Sequence, residues 1–208
     1  MTVVSTNESS TEVAGLRRSP LAGRRDELAA AGVEGLRGVR LGEEPFLSQV
    51  NLRVLPASPA AAGVEQALGT ILPREPNRVT GDEHDAALWL GPDEWLVVAP
   101  DGRADGIVEA ARTAMADSPG SVVDVSANRT TLRLAGPTSR EVLEKVCSLD
   151  LHPRAFRSGQ CAQTLVGRAQ VVLWQVGTEP AYRLMVRGSF ADYLADLLLD
   201  AMAEFTHR

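Results

Sequence analysis

The sequence predicts an α+β fold of antiparallel sheets with helices on one face. Three observations predict it. Short runs of alternating apolar and polar residues recur from residue 46 onward, compact turn sequences separate them in pairs, and a helical apolar stripe follows each pair. Strands joined by short turns pair antiparallel, and a helix after each pair covers one sheet face, giving repeated strand–strand–helix units in ferredoxin-like subdomains. The alternation of strand and helix is too short for a doubly wound parallel sheet.

Each element has its own signals. Residues 1 to about 18 are polar, rich in Ser, Thr and Glu, and without periodicity, which predicts a mobile tail or an arm ordered only by a partner. "RRSPLAGRRDELAAAGVEGLRGVRLGEEP" has little apolar mass and is expected to run over a surface. We therefore divide the chain into an extended, partner-contacting arm over 1–45 and an α+β domain, or two intertwined subdomains, over 46–208. "FLSQVNLRVL" alternates as a strand, and "PASPAAAGVEQALG" follows as a turn and short helix stopped by Gly69. "AALWLGPDEWLVVAP" is two strands across a turn, and the next helix gathers Ile107, Val108, Ala111 and Met115 on one face. "SVVDVSANRTTLRLAG" reads as two strands across Ala127–Asn128, with Pro137 just inside the following helix and Ser139 in its first turn. The last unit is "CAQTLVGRAQVVLWQV" and "AYRLMVRG". A helix follows, capped by Ser189 with Asp192 as reciprocal acid, and its stripe is Phe190, Leu194, Leu197, Leu198 and Met202.

Composition excludes several function classes. The chain has 208 residues, 44% hydrophobic and 23% charged, enough for a core without metal or disulfide staples. Its formal net charge is −6 and no basic stripe is visible, which argues against nucleic acid and an anionic membrane surface. Cys147 and Cys161 form neither a CxxC pair nor a zinc-ligand spacing, consistent with a reducing compartment. No signal peptide or run of about 20 apolar residues is seen, so a cytoplasmic location is expected.

Candidate chemistry is sparse. Asp93 and Glu94 stand in Gly-Pro-Asp-Glu, where Pro at the second position favours a turn. Adjacent residues of an extended chain point to opposite faces, so a catalytic carboxylate pair is disfavoured. Trp89 and Trp95 are read as hairpin packing. "DEHD" over 82–85 could attract a divalent metal but has no second His or Cys cluster, and reads as a solvated loop. His152 and Arg154 flank Pro153 and could hold an anion. The alternative is a rigid X-Pro loop whose His is satisfied by neighbours. Cys161 would need a nearby base to act as a nucleophile, and reads as a small buried strand residue. No phosphate-cradling glycine loop, GxSxG or HExxH is present.

Several stretches taken together resemble the gamma subunit family of heterotetrameric sarcosine oxidase: "RSPLAG", "LPREPNRV", "WLGPDEWLVVAPDG", "VVDVSANRTTLRLAGP", "VCSLDLHPRAF" and "GQCAQTLVGRAQVVLWQ". The resemblance runs from about residue 18 to the C-terminus. It implies a fold like the folate-binding domain of aminomethyltransferases. It also implies a place in an enzyme that oxidatively demethylates sarcosine to glycine, with hydrogen peroxide and either formaldehyde or methylenetetrahydrofolate as products. FAD, FMN, NAD and zinc would sit on other chains, tetrahydrofolate would be used by the complex, and the partners would be alpha, beta and delta subunits, with alpha the direct contact.

The resemblance assigns this chain no catalytic residue, no cofactor and no metal, and makes it a structural, assembly subunit. Asn128, Arg129, His152 and Arg154 are the loop candidates for partner or vestigial folate contact. Arg17, Arg18, Pro20 and Leu21 are candidates for an arm laid on the alpha subunit. The competing reading is a stand-alone tetrahydrofolate-binding, aminomethyltransferase-like protein, because fold does not fix function.

Overall fold

The structure, a computed structural model, describes residues 16–177 and 179–206. Ten strands form two five-stranded sheets in which every pairing is antiparallel. Sheet I has the order β1-β7-β10-β9-β8, from Arg40–Glu44 (β1), Arg129–Ala135 (β7), Cys161–Val166 (β8), Ala169–Gln175 (β9) and Ala181–Arg187 (β10). Sheet II has the order β3-β4-β5-β2-β6, from Ser48–Val54 (β2), Val79–Gly81 (β3), Ala86–Gly91 (β4), Glu94–Ala99 (β5) and Gly120–Asp124 (β6).

Strict alternation along the strands sorts side chains into three apolar layers. On β5, Trp95, Val97 and Ala99 face the helices α2 (Pro59–Leu68) and α3 (Ala104–Met115), while Leu96 and Val98 face the other sheet. On β9, Val171 and Leu173 lie with α4 (Ser139–Glu144) and α5 (Ala191–Thr206), while Val172 and Trp174 face sheet II. Leu88, Leu96, Val172, Trp174 and Met185 thus form a middle core between two sheets whose outer faces carry helices. The result is a four-layered helix–sheet–sheet–helix arrangement, and the α+β expectation holds.

Local chemistry sets the helix ends. The Ser58 hydroxyl accepts from the Ala61 N–H at 3.1 Å, Pro59 occupies the first turn, and Gly69 closes α2 at φ 65°. Ile107, Ala111 and Met115 are buried along α3 with Val108 packed beside them, as the periodicity predicts.

Four expectations are corrected. "SVVDV" and "RTTLRLA" are not a hairpin: β6 ends in sheet II, a 310 turn over Ser126–Asn128 crosses over, and β7 begins in sheet I. Second, the segment placed in the arm forms β1, pairs with β7, and contributes Leu21, Leu28, Val39 and Leu41 to the outer core of sheet I. A short helix, α1 (Arg25–Ala30), carries Leu28 into that core. Third, α5 begins at Ala191 after a 310 turn over Gly188–Phe190. Ser189 therefore lies in that turn, and Phe190 leaves the apolar stripe to stand exposed against Tyr193. Fourth, α4 begins at Ser139, so Pro137 precedes the helix, and the Ser139 hydroxyl donates to the Pro180 carbonyl.

Candidate functional site

The sequence-derived candidates are spread over the molecule. Pro92 and Asp93 form the two-residue tip of the β4–β5 hairpin, with Gly91 opposite Glu94. Both acids nevertheless reach one group: the Arg53 guanidinium lies 3.2 Å from Glu94 and 3.7 Å from Asp93. The turn bends the chain, so the opposite-face rule for extended strands does not keep the two acids apart. Asn51 also donates to Glu94 at 2.8 Å, making this an ion-paired hairpin tip. Trp89 and Trp95 are cross-strand partners, and the buried Trp95 indole N–H donates to the Pro73 carbonyl at 2.8 Å.

"DEHD" is divided among different tasks. The Asp82 carboxylate accepts from the His84 and Asp85 N–H groups, which close a turn and hold its pKa below the usual range. Glu83 points into the protein instead. Cys161 is fully buried at the end of the middle core, its thiol donates to the Trp89 carbonyl, and burial pushes its pKa up to about 12. It therefore stays a protonated thiol at physiological pH and is a poor nucleophile.

Asn128 closes the 310 crossover, its N–H bonded to the Val125 carbonyl. Arg129 opens β7 and is half-buried on the face of sheet I that looks toward sheet II. His152 and Arg154 lie on an exposed loop whose anchors, Leu151 and Phe156, are buried in the opposite, helix-covered layer. There His152 Nδ1 accepts from the Arg154 N–H at 3.2 Å, so the imidazole braces its own loop. The four candidates thus do not converge on one cavity.

Sequence reasoning missed the most developed polar arrangement. At one end of the middle core, Arg183 is 5% exposed, donates its Nε–H to Glu44 at 2.5 Å and an Nη1–H to the Glu83 carbonyl at 2.5 Å, and lies over the Trp174 ring at 5.0 Å. Arg133, opposite Arg183 on β7, joins Glu44 at 3.2 Å and Glu83 at 2.9 Å. The hydrogen bond from Arg133 holds the Glu83 carboxyl below its ordinary pKa, burial working against it. Burial opposes the Arg133 charge, but the hydrogen bond to Glu83 and the charges of Glu44 and Glu83 outweigh it and raise its pKa. A cavity of about 470 Å³ opens beside this network, lined by Gly38, Arg40, Glu83, Arg133 and Gly136 among others. Two carboxylates and two guanidiniums satisfy one another here, which makes a charge-balanced clasp between β1, β7, β10 and the β3–β4 loop. The available signal was the spacing of Arg183 from Ala181 and Met185, which puts it on the inward face of β10.

Among the described residues, no group of three His, Cys, Asp or Glu side chains is placed to hold a metal ion, and no helix is long and apolar enough to cross a membrane.

Comparison with known proteins places this architecture. The profile of the sarcosine oxidase, gamma subunit family matches residues 53–204. Sarcosine oxidase subunit gamma of Corynebacterium sp. (strain U-96) is 39% identical over 201 residues, covering 96% of this chain and 97% of that one. The subunit gamma of Arthrobacter sp is 40% identical over 195 residues, covering 93% and 94%. A chain of the heterotetrameric sarcosine oxidase of Corynebacterium sp. U-96, solved with pyrrole 2-carboxylate, superposes with a TM-score of 0.87 over 93% of this chain and 98% of that one, at 40% identity. The glycine cleavage system aminomethyltransferase T of Bartonella henselae shares the fold at a TM-score of 0.62 and 15% identity, this chain spanning 57% of its length. The match to gamma subunits runs through nearly the whole of both chains, and the protein belongs to the sarcosine oxidase gamma subunit family.

Proposed function

We propose that this chain assembles with alpha, beta and delta subunits into a heterotetrameric sarcosine oxidase and serves there as an assembly subunit without a catalytic centre of its own. The oxidation of sarcosine to glycine, with hydrogen peroxide and formaldehyde or methylenetetrahydrofolate as products, then takes place on other chains. Those chains carry FAD, FMN, NAD and zinc and use tetrahydrofolate, in the cytoplasm. One observation carries the reading: the end-to-end match to a chain of a heterotetrameric enzyme, at 40% identity and a TM-score of 0.87. The interior agrees with it. The space between the sheets is occupied by Leu88, Leu96, Val172, Trp174 and Met185, and its polar end is neutralised by the Glu44–Arg133–Glu83–Arg183 clasp.

We place the arm toward the alpha subunit among those N-terminal residues that the fold leaves unburied. Leu21 is buried in this chain's own core, and Arg17 is engaged with Asp101 at 2.8 Å and with the Phe46 ring. Arg18 and Pro20 stay exposed and remain candidates for the contact, together with residues 1–15, which lie outside the described residues.

The test is co-expression with the alpha, beta and delta chains and purification through a tag on this chain. A yellow complex that oxidises sarcosine, and that is lost when this chain is omitted, is the expected result. A chain that purifies alone overturns the proposal. The likeness to aminomethyltransferase T raises a second reading, a tetrahydrofolate-binding protein acting alone. Calorimetric titration of the isolated chain with tetrahydrofolate decides it, micromolar binding favouring that reading and no heat excluding it.

A further inference from the structure

The inward face of sheet I continues beyond the middle core. Past Val172 and Met185, the next cross-strand row is Arg129, Arg187, Gln170 and Leu165: Arg129 faces Arg187, and Gln170 faces Leu165. This row leaves the apolar layer for solvent, with Leu165 49% exposed. It floors a groove of about 370 Å³, and a second hollow of about 260 Å³ shares Leu165, Gln170 and Arg187 and adds Arg168 and Phe190. Phe190 stands edge-on to Tyr193 at 6.2 Å, and the Tyr193 hydroxyl accepts from the Arg168 N–H at 3.0 Å. The two aromatic rings are thereby fixed beside the β8–β9 turn.

This face carries three arginines, two of them cross-strand partners. The chain carries a net charge of −6, and the arginines Arg24, Arg53, Arg133 and Arg183 are each ion-paired, so two arginines set directly opposite each other on adjacent strands need a counter-charge. Among the described residues, Arg129, Arg168 and Arg187 have no carboxylate within 4.0 Å. Arg129 is half-buried and faces Arg187 across the strand pair. Burial, and then the neighbouring Arg187 charge, push its pKa down, with Glu94 only partly offsetting them. Glu94 is itself already held by Arg53 and Asn51. Two like charges directly opposite on a sheet are unfavourable unless an anion from outside joins them. Exposed Phe and Tyr rings beside Arg are also side chains enriched at protein interfaces.

We propose that this end of sheet I, carrying Arg129, Arg168 and Arg187 beside Leu165, Phe190 and Tyr193, is the docking face for another subunit of the oxidase. The partner surface presents carboxylates around an apolar side chain: the carboxylates bridge the Arg129–Arg187 pair, and the apolar group covers Leu165 and Phe190. The assignment rests on the assembly reading above and locates its contact.

The four-subunit co-expression tests it with the charge-reversed chain Arg129→Glu/Arg187→Glu and the charge-conserving chain Arg129→Lys/Arg187→Lys. The expected result is at least a tenfold loss of this chain from the complex on reversal, near-normal recovery with the lysines, and an unchanged melting temperature of each isolated chain. Amide exchange on the wild-type complex supplies an independent readout that needs no variant: segments 163–170 and 187–193 slow relative to the isolated chain. A complex that forms equally well with the reversed chain, together with no added protection of those segments in the wild-type complex, overturns this docking face and leaves the assembly reading intact. Protection already present in the isolated chain at high concentration assigns the face to a second copy of this chain and overturns it too. A wild-type chain that recruits no partner overturns both.

Discussion

Arg183 is the residue on which the middle layer turns. Its side chain is buried between two sheets, bonded to Glu44 and to the Glu83 carbonyl and stacked on Trp174. Removing one partner of a buried pair leaves the other charge desolvated, at a cost of about 3–5 kcal/mol. Arg133 remains to share Glu44, so the lower end applies, and Arg183→Ala is expected to destabilise the chain by about 3 kcal/mol. At roughly 2–4 °C per kcal/mol for a chain of this size, that is a fall in melting temperature of roughly 6–12 °C, readable by calorimetry. Glu83 adds a pH dependence. Its folded pKa lies below its ordinary value of 4.5 because of Arg133, so the folded state binds its proton less readily than the unfolded chain does. The stabilisation is complete above about pH 5 and is lost progressively as pH falls through the lower folded pKa. Glu83→Gln is expected to be less stable than wild type at pH 7, by under about 1 kcal/mol because the carboxylate is partly solvated, with the gap closing toward pH 3. Melts at pH 7, 5 and 3.5 check this, and a gap that widens on acidification contradicts it.

At the scale of elements, the segment before β1 is tied into the fold by one carboxylate. Glu43 accepts from the Ser19 hydroxyl at 2.6 Å, the Thr130 hydroxyl at 2.5 Å and the Leu21 N–H at 3.4 Å, and Leu21 then drops into the outer core. Arg24 fastens the far side of the same segment to α5 through Asp196 at 2.6 Å. Leu21→Ala is expected to cost about 2–5 kcal/mol, as for other fully buried leucines. Leu16→Ala, at an exposed position, is expected to stay within about 0.5 kcal/mol. Urea unfolding of the pair separates the two. This element was illegible in the sequence for a physical reason: "RLGEE" buries one apolar side chain, Leu41, so no alternation announces β1. The β4–β5 and β8–β9 hairpins were legible because Pro92-Asp93 and Gly167-Arg168 are turn chemistry between apolar runs. The β6–β7 junction has equally good turn chemistry, yet changes sheets. Alternation fixes which face of a strand is buried but not which neighbour it pairs with, and that choice is made by non-local partners, β2 for β6 and β10 for β7.

At the scale of the whole molecule, the two sheets are joined by the middle core, by the two crossovers β1–β2 and β6–β7, and by the charge clasp at one end. The β6–β7 crossover is bonded to a strand, the Ser126 hydroxyl accepting from the Gln49 N–H at 2.9 Å, and the Arg17 guanidinium covers the Phe46 ring in the β1–β2 crossover. The sequence offered the candidate site residues as two local pairs, Asn128 with Arg129 and His152 with Arg154, because only neighbours along the chain can be read from it. The Arg129–Arg187 pairing exists only through the β7–β10 register, 58 residues apart in sequence, and no local pattern announces it. This organisation decides how the N-terminal arm can be tested. Deleting residues 1–30 removes Leu21 and Leu28 from the core together with the Arg24 bonds, so loss of the complex would report unfolding. Deleting residues 1–15 spares every one of those contacts. The shorter deletion is expected to keep a single cooperative unfolding transition while lowering recovery of the complex several-fold, and the longer one to lose the transition itself. Calorimetry of the isolated chains beside co-purification with the other subunits separates the two effects. Full recovery of the complex with the 1–15 deletion would remove the arm from the assembly and leave the docking of this chain to its folded surface.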